Sequence, residues 1–307
     1  MASEFSPLHE AEADDKGQIN FSEGELKSIP VPPQTDEEMC IRRSEILDFG
    51  DEGFLLHNVL SSTECQHFIS EGEKAGFEKI HGARNNYRSN LRITFDSALL
   101  SDLLWKRIRP WLSDIIIDGE PTSLHVHGVK FLMQGHWQPL GLNSVWRLCR
   151  YTPGGHFAPH FDGHFVRSSQ ERSLQTFMLY INGDFEGGST NFIDEHQTLY
   201  QDEEGKYCAE EKNILCRLQP EPGLAIIFNH HRLHEGQKLK TGVKYILRTD
   251  IMFRNITQAS RSDSEEKALQ LVQEAERKEA SGECMEAAEL YRKAFKLSPE
   301  LAAAYGN

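Results

Sequence analysis

No two of the six cysteines (Cys40, Cys65, Cys149, Cys208, Cys216 and Cys284) stand in a CxxC pair. That scatter excludes a zinc-ribbon pattern and a dense disulfide framework, and it suits reduced thiols. Positive charge is also scarce. The 33 lysines and arginines face 47 aspartates and glutamates, a formal net charge of -14. Such a surface repels phosphate backbones and anionic headgroups, so neither nucleic acid nor a membrane is expected as a partner. Long apolar runs are missing too, with nothing near the ~18 uninterrupted apolar residues of a membrane span. The start MASEFSPLHEAEADDKG lacks the basic-then-apolar order of a signal peptide. The expected location is the cytoplasm or the nucleus.

The 307 residues suffice for one large β-rich domain with attachments. Residues 1–45 are acidic, proline-bearing and aperiodic, as in EAEADD and IPVPPQTDEE, and read as a disordered tail. The main domain is expected over 46–256. It opens with the strand-length run GFLLHNVL and a helix in SSTECQHFISEGEKAGF, where Ser61 and Glu64 have capping-box spacing and Cys65, Phe68 and Ile69 begin an apolar stripe. A second helix is predicted in DSALLSDLLWKRIRPWL, with Leu99, Leu100, Leu103, Leu104 and Ile108 at helical spacing and Pro110 ending it. The runs HVHGVKFLM, SVWRLCRYT, LQTFMLYIN, LAIIFNH and KYILRTDIMF then follow, separated by turn residues and without intervening helices. That texture predicts an antiparallel sandwich or barrel, and an α+β chain with its helices first. Residues 263–307 turn helical again. Gly282, Ala287, Tyr291, Ala294 and Pro299 sit at offsets that resemble a tetratricopeptide repeat, although Lys278 stands where the first helix usually carries an aromatic. One repeat cannot bury its own face, so a protein partner is a candidate for this segment.

The chemistry gathers in GGHFAPHFDGHF, residues 154–165. In an extended segment, His160 and Asp162 point to the same side, a natural bite for one metal ion. A third ligand can come from FNHHRLHEG, which offers His230, His231 and His234. Two histidines and a carboxylate on one face, with the opposite positions open, form the facial triad of ferrous enzymes. Near the C-terminus, the strand VKYILRTDIMF sets Lys244, Ile246, Arg248, Asp250 and Met252 on one face, and the apolar set Tyr245, Leu247, Thr249, Ile251 and Phe253 on the other. Two cations on one face suggest a carboxylate pocket.

In RYTPGGHFAPHFD, FMLYINGDFEGGSTNF and HEGQKLKTGVKYILRTDIMF, taken in that order, the chain resembles the iron(II)- and 2-oxoglutarate-dependent dioxygenases of the prolyl 4-hydroxylase-like branch. The resemblance implies a double-stranded β-helix (jelly-roll) core, flanked here by N-terminal helices and a C-terminal helical hairpin. It also implies Fe(2+), with 2-oxoglutarate and O2 as co-substrates, succinate and CO2 as co-products, and ascorbate as a candidate reductant. By resemblance the metal ligands are His160, Asp162 and His234, while His156, His164, His230 and His231 become neighbours. The family's anchoring cation for 2-oxoglutarate usually lies ten residues after the distal histidine, which falls on Lys244; Arg248 is the alternative, because its fork suits a carboxylate. Tyr151 and Tyr180 match tyrosines beside the co-substrate. Arg84, Arg88 and Arg92, in ARNNYRSNLR, lie where the family carries a substrate-facing loop. The resulting expectation is hydroxylation of a protein or peptide side chain, most simply prolyl. Its alternatives are a 2-oxoglutarate oxygenase acting on a small molecule and a non-catalytic jelly-roll interaction protein.

Overall fold

A computed structural model describes residues 27–33, 39–80, 84–117, 133–168, 170–257, 262–280 and 284–304. All strand pairings among these residues are antiparallel. The large sheet runs β1 (Arg42–Glu45), β2 (Gly53–His57), β14 (Ala225–Asn229), β10 (Glu171–Tyr180), β17 (Lys244–Asn255), β7 (Val145–Tyr151), β4 (Leu91–Asp96) and β3 (Glu78–Lys79). In the same sheet β6 (Gly135–Leu142) pairs with β17, β5 (Ile115–Ile117) with β6, and β9 (Val166–Ser168) with β10. The small sheet runs β13 (Ile214–Leu218), β12 (Thr190–Ile193), β15 (His234–Gly236) and β8 (Phe157–His160), while β11 (Glu186–Gly187) and β16 (Leu239–Thr241) form a separate ribbon.

The chain crosses between the two sheets in the winding order of a jelly roll. It leaves β7 in the large sheet for β8 in the small one, returns for β10, crosses to β12 and β13, returns for β14, crosses to β15 and ends in β17. The central strands are therefore covered on both faces, which explains their nearly continuous apolar sequences. Along β10, Phe177 and Leu179 join one core, and Met178 and Tyr180 join the other. The first core lies between the large sheet and two helices, α1 (Ser62–Ala75) and α2 (Ala98–Ile108), which contribute Cys65, Phe68, Leu100, Leu104 and Ile108. The second lies between the sheets, where Cys149, Tyr151, Ile226, Phe228 and Ile246 meet Phe192 and Leu218. The catalytic candidates sit at the end of this second core.

Two expectations need correction. Residues 27–33 and 39–45 are not part of a featureless tail: Ile29 is buried in the first core, and β1 pairs with β2 over Arg42–Glu45. The short polar strand RRSE has no hydrophobic alternation to betray it, because it is an edge strand with no buried residue, two being exposed and two half-buried. Within α2, Leu99 is 74% exposed and does not belong to the buried stripe of Leu100, Leu104 and Ile108. The strand expected in HVHGVKFLM lies, except for Met133, outside the described residues, as does Gly282. Beyond the β-core, α3 (Asp263–Ala280), α4 (Cys284–Leu297) and α5 (Pro299–Ala304) share a small core of Ala268, Leu269, Val272, Ala294 and Leu301.

The helices are locked to each other by one carboxylate. Ser61 and Glu64 close the capping box of α1, with Ser61 N–H donating to Glu64 at 2.8 Å. The same carboxylate, 1% exposed, takes a two-pronged contact from Arg107 of α2 at 2.7 and 3.0 Å. Removing it strands a guanidinium and an amide in a dry interface. Glu64→Ala should therefore cost about 3 kcal/mol, read as a lower urea midpoint at an unchanged slope.

Candidate active site

β8 and β15 are neighbours in the small sheet, and their register sets His160 directly opposite His234. Asp162 follows two residues after His160 and is pinned by its own N–H, which donates to the His230 carbonyl at 3.0 Å. The result brings the three expected ligands together, with one donor atom from each lying within 4.8 Å of the others. His160 Nε2 lies 3.5 Å from Asp162 Oδ1, and His234 Nε2 lies 3.8 Å from Asp162 Oδ2. Each histidine donates its Nδ1 proton to a backbone carbonyl, Ala158 at 2.8 Å and Arg232 at 2.9 Å. In the neutral ring this arrangement leaves Nε2 with the lone pair a metal requires. Burial, helped by the neighbouring His160, pushes the His234 pKa down to about 3 and keeps it neutral.

Burial alone would raise the Asp162 pKa, but Arg248, followed by His234 and His160, outweighs it and holds the carboxyl well below its usual range. Arg248 Nη2 lies 2.7 Å from Asp162 Oδ1 as an ion pair without hydrogen-bond alignment. The donor set fits a ferrous ion. His160 Nε2 is buried and has no hydrogen-bond partner, a costly state for a polar atom unless an ion takes its lone pair.

These groups line a cleft of about 500 Å³, measured to include its solvent-open mouth. Lys244, Arg248, Arg147, Arg88 and Tyr151 supply its polar walls, and Phe157, Met178, Phe228 and Ile246 its apolar ones. Lys244 is fully enclosed. Its Nζ donates to the Gly188 carbonyl at 2.6 Å and lies 5.4 Å from the ring centres of both Tyr151 and Tyr180. Burial pushes its pKa down to about 7. Gly188 has φ +65°, and a Cβ there would press on Leu239 at 3.0 Å and Lys244 at 3.3 Å, so the lysine's seat depends on glycine.

Of the tyrosines, Tyr151 lines the cleft, while Tyr180 does not; its hydroxyl donates to Thr190 Oγ1 at 2.6 Å. Of the three loop arginines, Arg88 is buried, stacks its guanidinium 4.2 Å above the Phe157 ring and lines the cleft. Phe157 in turn stacks on His160 at 3.6 Å. Arg84 is exposed and Arg92 lies on β4, and neither lines the cleft. His156 holds the loop instead. Its Nδ1 accepts from Ser89 Oγ at 2.9 Å and its Nε2 meets the Asn86 carbonyl at 3.1 Å.

Residues 146–249 match the family model described as the 2OG-Fe(II) oxygenase superfamily. That segment is similar to 2OG-Fe(II) oxygenase domains. The matched span contains His160, Asp162, His234, Lys244 and Arg248. The comparison with curated proteins gives no match. Among solved structures, the chain is similar to a viral collagen prolyl hydroxylase from Paramecium Bursaria Chlorella virus-1 in complex with 2OG, at 18% identity and a TM-score of 0.41, covering 68% of this chain and 99% of that one. It is also similar to a Pseudomonas putida prolyl-4-hydroxylase (13% identity, TM-score 0.40, 66% and 92% covered). A third is a Trichoplax adhaerens prolyl hydroxylase in complex with a hypoxia inducible factor oxygen degradation domain peptide fragment (14% identity, TM-score 0.40, 67% and 84% covered).

Sequence reasoning missed several groups that shape this site. Thr176 donates to Asp162 Oδ2 at 2.5 Å, and His230 sits behind it. Arg147 lies cross-strand from Arg248 and 3.9 Å from the buried Asp250. The signal for Arg147 and Asp250 was available, since alternation along β7 and β17 puts charged side chains opposite one another inside a sandwich. Thr176 gave none, because threonine is an ordinary strand residue.

The geometry predicts one divalent ion per chain. His160→Ala, Asp162→Ala and His234→Ala should each abolish stoichiometric Co(II) binding followed by absorption. His231→Ala should leave it intact, because that ring packs near Phe161 at 6.1 Å, outside the donor cluster.

Proposed function

We propose that this protein is an iron(II)- and 2-oxoglutarate-dependent dioxygenase that hydroxylates a protein side chain, with proline as the target residue. The observation that carries the reading is the joint placement of a His160–Asp162–His234 donor cluster and an enclosed lysine in one cleft. In this reading His160, Asp162 and His234 hold the iron. When bound, the iron activates O2 for substrate hydroxylation coupled to conversion of 2-oxoglutarate to succinate and CO2. Ascorbate is the candidate reductant that keeps the metal ferrous.

The protein's own residues bind, orient and exclude water. Lys244 anchors the distal carboxylate of 2-oxoglutarate, and Tyr151, beside it on the same wall, is placed to share that carboxylate. Arg248 is engaged with Asp162, so its role is to keep that ligand ionised in a dry site. Tyr180 contributes its ring to the ammonium's surroundings, while its hydroxyl is taken by Thr190. Phe157, Phe228, Met178 and Ile246 form an apolar part of the cleft wall that disfavours water there.

The choice of a protein substrate rests on Arg88 at the cleft and the polar loop behind it, which offer donors to peptide carbonyls and acidic side chains. The choice of proline rests on the sequence resemblance. The same resemblance makes α3–α5 a partner-binding attachment in this reading. Purified protein with ferrous iron should convert 2-oxoglutarate to succinate faster when proline-containing peptides are added, with a hydroxylated peptide as product. Turnover driven only by free amino acids or other metabolites would move the assignment to a small-molecule oxygenase.

The anchor makes a pH-dependent prediction. The carboxylate binds the ammonium form of Lys244, whose pKa in the free protein is about 7, and its negative charge raises that pKa on binding. Affinity is then greatest below pH 7 and falls as pH rises toward the bound-state value, by about tenfold per unit. Titrations of 2-oxoglutarate between pH 6 and 9 should show this decline in the wild type and a flatter profile in Lys244→Arg. Lys244→Ala should raise the KM for 2-oxoglutarate about tenfold to a hundredfold, the loss of one charge-assisted hydrogen bond. Arg248→Ala should act chiefly on metal retention. A larger KM effect for Arg248→Ala than for Lys244→Ala would reassign the anchor.

A further inference from the structure

Behind the metal-ligand candidates, a chain of hydrogen bonds runs from Asp162 into the large sheet. Thr176 Oγ1 donates to Asp162 Oδ2 at 2.5 Å. His230 Nδ1 lies 3.0 Å from the same threonine oxygen, and His230 Nε2 lies 2.8 Å from Ser173 Oγ. Phe165 N–H donates to Ser173 Oγ at 2.7 Å. Ser173, Thr176, His230 and Asp162 are each 0–2% exposed, so bulk water cannot take the place of any member.

The proton order along this chain has one solution. An ionised carboxylate only accepts, so the single hydroxyl proton of Thr176 is committed to Asp162. Thr176 Oγ1 must then accept from His230, which makes Nδ1 the protonated nitrogen and Nε2 an acceptor. Nε2 receives the proton of Ser173, whose oxygen accepts from a backbone amide that can only donate. Every link therefore points from the Phe165 amide toward the carboxylate. The His230 backbone reinforces the arrangement, since its carbonyl accepts from Asp162 N–H at 3.0 Å. A histidine is suited to this place, because its ring presents a donor and an acceptor at fixed angles to two strand hydroxyls.

We propose that His230 and Thr176 form a positioning relay that holds Asp162 Oδ2 from behind while Arg248 stands 2.7 Å from Oδ1, so that the carboxylate is fixed in one orientation toward the metal. The inference rests on the reading of His160, Asp162 and His234 as ligands and adds to it two residues outside that donor set; Thr176 lines the same cleft, and His230 lies behind it. Without the relay Oδ2 is no longer held, and the carboxylate can turn about its Arg248 contact or spend both oxygens on the ion. In either case the ion is held less tightly and at a less defined set of positions. The outer partners of metal-bound carboxylates commonly act in this way.

Binding of Co(II), read by its d–d absorption without 2-oxoglutarate or turnover, tests the relay. Thr176→Val, which keeps the shape and loses the hydroxyl, should weaken Co(II) binding by roughly tenfold to a hundredfold. Thr176→Ser should restore it to near the wild-type value. His230→Phe should weaken binding in the same direction, and His230→Asn, whose amide nitrogen can replace Nδ1 as donor to Thr176, should retain most of it. Because His230 acts only through Thr176, the double variant Thr176→Val/His230→Phe should bind no worse than Thr176→Val alone. Wild-type affinity in Thr176→Val, equal losses in Thr176→Ser and Thr176→Val, or full additivity in the double variant would overturn the relay while leaving the ligand assignment in place. If instead His160→Ala binds Co(II) as the wild type does, the ligand assignment itself fails and the relay falls with it. Valine keeps the shape of threonine without its hydroxyl and serine keeps the hydroxyl with one methyl fewer, so their comparison decides the matter even if His230→Phe does not fold.

Discussion

A carboxylate sealed inside a β-sandwich is unstable as an ion unless its charge is matched within the same dry space, and Asp162 imposes that condition on everything around it. Arg248 supplies the charge, Thr176 supplies the hydrogen bond, and His160 and His234 face it with lone pairs that only a cation can join. Each partner comes from a different strand or turn. The site therefore exists only when the two sheets have closed on each other, and it cannot form locally in β8 alone.

The jelly-roll winding meets this requirement with little added structure. β8 and β15 are adjacent in the small sheet although far apart in the chain, so one register decision sets His160 against His234. β10 and β17 are adjacent in the large sheet, which sets Thr176, Asp250, Met178 and Arg248 on the facing wall. The alternate residues of the same strands, Phe177, Leu179, Leu247 and Ile251, pack under α1 and α2. One strand thus anchors the helix layer on one face and the chemistry on the other, and any slip by one residue would exchange the two.

That coupling explains how much could be seen in advance. His160 and Asp162 were legible because period-two spacing within one short segment needs no tertiary information, and Lys244 and Arg248 were legible as two cations on one face of a strand. The choice of His234 over His230 and His231 was not available from spacing, since the three lie within five residues; it came from the family resemblance. What distinguishes them is which one falls in β15 opposite β8, a long-range pairing. Arg88 could not be told from Arg84 and Arg92 for a similar reason: its place is fixed by the isolated bridge to Phe157 and by stacking on that ring. The edge strand β1 went unseen because its pairing with β2 is carried by backbone hydrogen bonds, and its side chains are polar and exposed or half-buried.

The division of labour between the two cations follows from their surroundings and not from their chemistry. By chemistry alone, the guanidinium of Arg248 is the better receptor for a carboxylate, since its fork matches two oxygens. In the folded chain that guanidinium stands 2.7 Å from Asp162, and withdrawing it would leave a buried anion uncompensated. Lys244 has no such obligation. Burial lowers its pKa without a carboxylate acting on it among the described residues, and its one hydrogen bond is to a neutral carbonyl. An incoming carboxylate therefore gains a full ion pair at Lys244, whereas at Arg248 it competes with a charge already in place. In the proposed reading the more versatile cation keeps Asp162 ionised, and the simpler one receives the co-substrate.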